Sequence, residues 1–283
     1  GGATTEKAGS GGGGRIAIHY DPSAQGALPI PGVKFSTYAP PSGQSGQVEE
    51  MGTLYLPNVR FVTESLAGQR FWHVRLVIPG WTAWAPGSLT LDNCVVGLPR
   101  GFSLDVAGDL SLRNSARLYL WPSPTNDPAH AFGLALNVGG TLDIGDSSWL
   151  YTYAEPTNGA IMRIRVGGNA VIASTGGING DYRGYISKTG NLNGPGAGRG
   201  NSSGGGYGGK GGGTAGGAVY GDPAAVPRHP GSPGGAYPGG ASGGWQSGAG
   251  GGAIQLLSAG TVVLDGTLSA NGSQGVYPNA PGG

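Results

Sequence analysis

The feature that most restricts the fold is a five-position repeat with a glycine at its centre. It reads apolar, any, apolar, any, Gly, any, apolar, any, apolar, and tight copies centre on Gly108, Gly140 and Gly168. A looser copy centres on Gly260, and a half copy follows Gly87. Because the apolar residues alternate with a period of two on both sides of the glycine, each copy predicts a strand, a bend and a second strand.

The five glycines are 21, 32, 28 and 92 residues apart. Unequal spacing between similar copies is typical of a solenoid, whose coils share one core and tolerate insertions on one side. We therefore predict an all-β protein, a right-handed parallel β-helix with a long, ordered Gly-rich insertion. A β-sandwich is the alternative, since short strands with Gly-rich turns also fit that fold.

The repeated glycines are expected to mark the bend between two faces of a coil, where a side chain would collide or φ must be positive. Six residues after the first, second and third of them stand Asn93, Asn114 and Asp146, which tolerate tight turns. These corner residues either stack as a hydrogen-bonded ladder between coils or act as ordinary turn residues. The sequence leaves both interpretations open.

We treat residues 1–283 as a single solenoid unit with four sections. Residues 21–86 form an irregular, Pro-rich section, with strands expected near 53–56, 59–62 and 72–78. The other sections are regular coils at 87–178, a Gly-rich insertion at 179–252 and a returning coil at 253–283. The opening Gly1-Gly2-Ala3 predicts a processed product or a piece of a longer protein.

The insertion concentrates the glycines, because residues 190–252 hold 27 of the 62 in the chain. Linkers seldom carry many aromatic residues, whereas this region is punctuated by Tyr182, Tyr185, Tyr207, Tyr220, Tyr237 and Trp245. We expect an ordered flap that lies on the solenoid in the extended conformation of collagen-like chains, in preference to a flexible linker.

The two ends of the chain resemble each other. A glycine run feeds an alternating strand in GGGGRIAI at residues 11–18 and in GGGAIQL at residues 250–256, at a constant offset of 238. Equivalent terminal coils would each expose a strand edge, and open edges invite end-to-end stacking. The expected assembly strands carry the apolar residues Ile16, Ile18, Ile254, Leu256, Val262 and Leu264.

Charge and composition exclude several classes of function. With 16 basic and 15 acidic residues the net charge is +1, so we predict neither nucleic-acid binding nor attraction to an anionic membrane. No apolar run approaches the roughly 20 residues of a membrane helix, which argues against membrane insertion. The single cysteine excludes a disulfide framework, and the four histidines lack metal-ligand spacing, so neither a metal nor a cofactor is expected.

Three glycine-rich stretches carry a resemblance to a known class of protein. Residues 11–18, residues 204–212 and residues 250–254 together with 266–272 resemble glycine-rich β-solenoid segments of very large bacterial extracellular proteins. The resemblance implies a secreted or surface location and a structural or adhesive role. It brings no catalytic residues to carry over.

We therefore expect a non-enzymatic extracellular structural protein, the subunit of a filament or repetitive surface fibre that assembles with itself by β-strand stacking. The alternative is a carbohydrate-binding or carbohydrate-cleaving β-helix, similar to an adhesin or a polysaccharide lyase. Its partner would be an extracellular polysaccharide, on which Trp81, Trp84 and Trp121 would stack. Burial of these rings in the core is the competing interpretation.

Overall fold

Short strands that pair in parallel are the main regular structure of the protein. A computed structural model describes residues 12–38, 51–124, 132–188, 191–199, 203–221, 226, 228–235 and 247–273. In chain order the strands are β1 (Arg15–Ala17), β2 (Phe35–Ser36), β3 (Gly52–Tyr55), β4 (Ser65–Ala67), β5 (Phe71–Val77), β6 (Ala83–Trp84), β7 (Leu89–Asp92), β8 (Val95–Arg100), β9 (Ser103–Val106), β10 (Leu110–Arg113), β11 (Arg117–Trp121), β12 (Leu136–Val138), β13 (Leu142–Ile144), β14 (Trp149–Thr152), β15 (Arg163–Val166), β16 (Ala170–Ile172), β17 (Gly177–Asn179), β18 (Ser187–Lys188), β19 (Asn191–Leu192), β20 (Gln255–Ser258), β21 (Val262–Leu264) and β22 (Thr267–Ser269). A short helix, α1 (Pro22–Gly26), follows β1 and is capped by the side chain of Asp21.

Nearly all of the strands form three stacked parallel sheets, whereas β18 and β19 pair antiparallel in a separate two-stranded sheet. Sheet 1 contains β1, β3, β5, β8, β11, β14, β17 and β22 in that order, with β2 paired to β5. Sheet 2 contains β4, β7, β10, β13, β16 and β21, and sheet 3 contains β6, β9, β12, β15 and β20. Each complete coil contributes one strand to sheet 3, then sheet 2, then sheet 1, which is a solenoid-like arrangement. An antiparallel sandwich would pair its strands differently.

The repeat predicted from the sequence coincides with the coils. Each copy supplies a sheet 3 strand before its glycine and a sheet 2 strand after it, as β9 and β10 do around Gly108. The register follows the repeat, since Leu104 pairs with Leu136 and Leu136 with Ile164. These three side chains are buried, and columns of this kind fill the lumen. Alternation therefore decides which side chains enter the core.

The Pro-rich section at residues 21–86 differs from the expected strand pattern in one place. Strands form at β3 and β5, but residues 59–62 form a turn. The reason is packing, because Phe61 of this turn is buried and its ring lies 5.7 Å from that of Phe35. A strand through these residues would carry that ring away from the end of the core.

The Gly-rich insertion begins after β17 and consists of extended segments joined by backbone hydrogen bonds. Gly206 N–H donates to Gly196 O at 2.7 Å, and Gly235 N–H donates to Ser203 O at 2.8 Å. A Cβ added to Gly217 would collide with the carbonyl of Gly196, so only glycine permits this approach. Close packing at glycine is also how collagen-like chains associate.

The insertion is also bonded to the last coil of the solenoid. Gly180 N–H donates to Ser269 O at 2.7 Å, and Tyr182 N–H donates to Asn271 O at 2.8 Å. The ring of Tyr185 is buried, and its hydroxyl donates to Asn158 O at 3.2 Å. Two of the aromatic residues expected to cover a face, Tyr237 and Trp245, lie outside the described residues.

Candidate functional site

The candidate site is the C-terminal end of the solenoid, where the core columns reach the last coil. In sheet 2 the column runs through Leu142 and Ala170 to Val262, and a second column runs through Ile144 and Ile172 to Leu264. In sheet 1 Ile178 is followed by Leu268. The last member of each column therefore occupies a lumen-facing position.

These last members are exposed although their neighbours are buried. Val262, Leu264 and Leu268 are 44%, 46% and 43% exposed, whereas Ile172 and Ile178 one coil earlier are 0% exposed. No further coil covers them among the described residues. A contiguous apolar surface of this kind marks an interaction site more often than scattered exposed side chains do.

Val263 lies between two of these residues but faces the other way. Its register partner is Val171, which follows Asp143 in the outward-facing column. Because side chains alternate along a strand, Val263 lies on the outer face of sheet 2. It is 39% exposed, so exposure alone does not separate it from its neighbours.

The last described coil also presents unpaired strand edges, in addition to its exposed lumen. Strands β20, β21 and β22 stand at the edges of sheets 3, 2 and 1 within the described part of the chain. All three belong to one coil, so the three sheets end at the same level. An edge strand presents unpaired N–H and C=O groups to any incoming strand.

A cavity of about 740 Å³ opens between this coil and the Gly-rich insertion. Its apolar side is formed by Ile254, Leu256, Val262, Leu264 and Leu268. The insertion contributes mostly backbone, together with the side chains of Tyr207, His229 and Ser232. Burial, and next the positive charge of Arg228, lower the pKa of His229, which favours the neutral imidazole beside this apolar surface.

The N-terminal end has a different shape. Sheet 1 begins at β1, sheet 2 at β4 and sheet 3 at β6, so the three sheets start at different levels. Ile16 and Ile18 are partly buried and pack against the core, as does the ring of Tyr20. The two glycine-fed strands are not equivalent, because β1 belongs to sheet 1 and β20 belongs to sheet 3. A similar local sequence entered the solenoid at two different faces.

The corner glycines lie between sheets 3 and 2, and steric crowding explains most of them. An added Cβ at Gly168 would lie 2.7 Å from Gly140 O, and one at Gly108 would lie 2.7 Å from Gly87 O. Gly140 and Gly260 are similarly crowded, and none of these residues has a positive φ. Gly87 is the exception, since its nearest neighbour is Glu64 Oε1 at 3.6 Å.

The corner residues between sheets 2 and 1 form hydrogen bonds with partners that the sequence did not indicate. Asn93 and Asn114 have φ values of 51° and 56°, the left-handed conformation that asparagine tolerates. Asn114 Nδ2 donates to Asp92 Oδ1 at 2.8 Å, and Thr175 Oγ1 donates to Asp146 Oδ1 at 3.0 Å. Hydrogen bonds therefore join adjacent coils at this corner. Each bond pairs a corner residue with a neighbour of the equivalent corner residue, and not with that residue itself.

A second set of corner residues was missed by the sequence analysis. The residue after each repeated glycine is polar, and the side chains of three of them, Ser88, Asp109 and Asn169, bond the next coil. Asp109 Oδ1 accepts from Thr141 N–H at 2.7 Å, and Asn169 Oδ1 accepts from Thr261 N–H at 2.9 Å. Ser88 Oγ accepts from Asp109 N–H at 3.2 Å. The signal was present as a polar residue at one fixed offset from every glycine.

The three tryptophans differ in their burial. Trp81 and Trp84 are half-buried and pack on the core, with the Trp81 ring centroid 4.4 Å from that of Phe102. Trp121 is buried, and its ring stacks on Tyr153 at 4.8 Å with Arg75 on it at 5.7 Å. Trp121 therefore offers no free face to a sugar, because neighbouring side chains of sheet 1 already cover it.

His73 is a packed residue at an irregularity of β5. It is buried, has a φ of 56° and lies where the register between β5 and β8 shifts. Burial, assisted by the positive charge of Arg117, lowers the pKa of His73 to about 4. The imidazole is therefore neutral at pH 7.

Within the described ranges, no three His, Cys, Asp or Glu side chains come together in a way that could hold a metal ion. His130 lies outside those ranges. No helix there has the length and apolar character needed to span a membrane.

Comparison with known proteins gives no relative to guide the assignment. No protein-family model, curated protein or solved structure matches this chain significantly.

Proposed function

We propose that this chain is a non-enzymatic structural protein, a right-handed β-helix that serves as the subunit of a filament or repetitive surface fibre. Units associate end to end by strand addition at the last coil. The observation that carries the proposal is the level, open C-terminal end, where three strand edges surround exposed apolar side chains.

The contact would continue two features of the solenoid itself. An incoming strand satisfies the edge N–H and C=O groups of β20, β21 and β22, as each coil does for the one before it. Its inward side chains cover Val262, Leu264 and Leu268, which lie one coil beyond fully buried neighbours. Burial of such side chains contributes roughly 25 cal/mol per Å² of apolar surface.

The N-terminal edge of a second copy is the surface that a filament requires. Within the described residues, strand β1 forms the edge of sheet 1, and Ile16 is partly buried there between the exposed Arg15 and Ala17. Repetition of one heterologous contact generates an open filament, whereas a contact between two identical ends closes into a dimer. We propose the heterologous contact.

An extracellular location rests on the resemblance of the glycine-rich motifs alone. An open solenoid end with apolar side chains suits a protein that polymerises or docks, and such an edge promotes aggregation where no partner covers it.

The test compares two variants on neighbouring positions of one strand. Leu264→Lys places a charge on the lumen side of the open end, and Val263→Lys places the same charge on the outer face. In negative-stain electron microscopy and light scattering, we expect filaments for the wild type and Val263→Lys, and monomers for Leu264→Lys. Ile16→Lys tests the other end and should also abolish filaments.

Circular dichroism of each variant establishes that the isolated unit still folds. A wild type that is monomeric at high concentration contradicts self-assembly. If the wild type forms discrete dimers and Leu264→Lys converts them to monomers, the result would support the contact at the C-terminal end but contradict the filament. Filaments that survive both Leu264→Lys and Ile16→Lys would show that assembly uses another surface.

A further inference from the structure

Sheet 1 ends in strands whose edges match each other. Among the described residues, β22 forms one end of this sheet and β1 forms the other. Every strand pair between them along the sheet is parallel. A second copy that adds its β1 to β22 would therefore continue sheet 1 in the same direction.

Leu268 presents free backbone groups at the edge of β22. Its neighbours point the other way, because Thr267 N–H donates at 3.0 Å and Ser269 O accepts at 2.7 Å in hydrogen bonds to the coil of β17. Backbone groups of successive residues alternate in direction along a parallel strand. Those of Leu268 and Ala270 therefore face away from the solenoid.

The free backbone groups of β1 belong to the residues of opposite parity. Gly14 O accepts and Ile18 N–H donates in hydrogen bonds to the coil of β3, each at 3.1 Å. By the same alternation, the N–H and C=O groups of Arg15 and Ala17 face the outer edge. This edge can therefore bond a parallel strand that approaches from outside.

These directions restrict the register between the two strands. In a parallel pair, a residue that bonds the neighbouring strand stands opposite a residue whose own groups point away. Leu268 can therefore stand opposite Gly14 or Ile16, but not opposite Arg15. The same two registers keep Leu268 and its partner on the lumen side, since side chains alternate along a strand.

The core columns distinguish between Gly14 and Ile16. The column that ends at Leu268 continues in register through β17, β14, β11, β8 and β5 to Gly52 of β3. The register of β1 on β3 makes Gly14 the first residue of this column. A unit stacked without a sideways step therefore places Leu268 opposite Gly14.

Side-chain size favours the same register. A Cβ added to Gly14 would have no heavy atom within 4 Å, so the space beside this glycine is open. Leu268 is 43% exposed and can occupy that space. With Ile16 opposite Leu268, the space beside Gly14 would stay empty, and its lining would lose van der Waals contacts.

This register also directs two isoleucines into a cavity. Ile16 and Ile18 follow Gly14 on the lumen side of β1 and are only partly buried in their own unit. They would stand opposite Ala270 and Gly272, which line the cavity of about 740 Å³ beside the Gly-rich insertion. Because Ala270 and Gly272 are small, the isoleucine side chains have room to enter.

The two ends are complementary in charge as well. Residues 12–20 carry Arg15 and no acidic side chain, whereas residues 253–273 carry one acidic side chain and no basic one. In this register Arg15 stands opposite Ser269, whose Oγ donates to Asp181 Oδ1. The arginine of one unit therefore approaches a carboxylate of the other, and opposite charges on neighbouring strands attract.

We infer that β1 of a second copy of this chain adds in parallel to β22, with Leu268 opposite Gly14 and with Ile16 and Ile18 in the cavity. The inference rests on the proposed self-assembly and defines the contact within it. The Gly-rich insertion then forms one wall of the contact between units, and strand addition supplies the backbone hydrogen bonds.

The experiment measures disulfide formation between units of the full chain. Ala17→Cys with Asn271→Cys places two thiols opposite each other in the inferred register. Ala17→Cys with Ser269→Cys does so only if Leu268 stands opposite Ile16. Opposite residues have Cα atoms about 4.8 Å apart, and a shift of two residues separates them by about 8 Å, which a disulfide cannot span. After mild oxidation, non-reducing gel electrophoresis should show a ladder of multimers for the first pair and at least tenfold less for the second.

The single-cysteine variants are the controls, and the native thiol of Cys94 is buried. Neither Ala17→Cys nor Asn271→Cys alone should form dimers, and the melting temperatures of all variants should agree. Dimers of Asn271→Cys alone would show a contact between two identical ends and would overturn the inference. Filaments that are linked only through the Ser269→Cys pair, or through neither pair, would overturn the register but leave self-assembly standing. A wild type without filaments contradicts both.

Discussion

Asp109 Oδ1 accepts the backbone N–H of Thr141 at 2.7 Å, so a corner side chain of one coil bonds the corner of the next. The two residues are 32 positions apart in the sequence, and the segment between their coils contains Pro122, Pro124 and Pro128. A bond of this kind holds the stacking register at a place where the chain leaves the sheet. It shows how coils of unequal length can share one core.

Removal of this side chain should weaken the solenoid by a modest amount. Asp109→Ala deletes the acceptor of an exposed bond, and we expect the free energy of unfolding to fall by about 0.5 to 1 kcal/mol. Urea denaturation followed by circular dichroism measures the change. Asp143→Ala removes an exposed carboxylate from the outer face of sheet 2 and should cost less than about 0.5 kcal/mol. Equal losses would show that the corner bond contributes nothing specific.

The corner glycines allow a second paired comparison. In Gly168→Ala the new Cβ would lie 2.7 Å from a backbone oxygen, and we expect a cost of about 1 to 3 kcal/mol from overpacking. Gly87→Ala meets only a side-chain oxygen at 3.6 Å, so its stability should stay within about 0.5 kcal/mol of the wild type. Thermal and urea unfolding of both variants measures this difference. If Gly87→Ala is the more damaging, then backbone conformation rather than crowding selects glycine at this corner.

Burial of His73 predicts a pH dependence of stability. The pKa of His73 is lowered to about 4 in the folded protein, whereas an unfolded histidine has a pKa of about 6.5. Between pH 4 and 6.5 the unfolded chain binds more protons than the folded chain does. The contribution of His73 to the free energy of unfolding is therefore fully present above pH 6.5 and is lost as the pH falls toward 4. Unfolding free energies from pH 7.5 to 4 should therefore decrease in this window.

A variant without this imidazole isolates its contribution. Asparagine tolerates the positive φ of 56° at this position. The free energy of unfolding of His73→Asn should therefore decrease much less than that of the wild type as the pH falls. Carboxylates elsewhere cannot reproduce this decrease between pH 5 and 6.5. His19→Asn removes an exposed histidine and should leave the pH profile as it is. An unaltered profile for His73→Asn would contradict the assigned burial effect.

The tryptophans should respond according to their packing. Trp121→Ala removes a buried ring from the stack with Tyr153, and we expect a loss of about 3 kcal/mol. Trp84→Ala removes a half-buried ring and should cost less. Guanidinium denaturation compares the two variants. A reversed order would indicate that the edge of sheet 3 stabilises the fold more than the outer cluster of sheet 1 does.

The sequence predicted the coils well because their determinants are local. Alternation of Leu104 and Val106 before Gly108 predicts inward and outward faces without any knowledge of neighbouring coils. The turn at residues 59–62 was not predictable in this way, since Phe61 follows an alternating pattern but packs on Phe35 from another part of the chain. Local pattern fails where a distant contact overrides it.

The candidate site shows the same division. The sequence indicated Val262 and Leu264 as alternating apolar residues of a terminal strand, but it did not indicate whether a further coil covers them. Their direction follows from pairing with Ala170 and Ile172, and their exposure follows from the lack of a covering coil among the described residues. Likewise, the side chain of Arg163 on β15 bonds that of Gln255 on β20, far along the chain, only because the two strands are neighbours.

The sequence by itself therefore determined the strands, the bends and the alternation of side chains, because each depends on sterics and polarity within a few residues. Only the tertiary structure decided that β1 enters sheet 1 while β20 enters sheet 3, although glycine runs precede both. It also decided which end of the solenoid is level and open. The physical reason is that sheet membership and burial are set by contacts between residues far apart in the chain, and a local pattern carries no information about them.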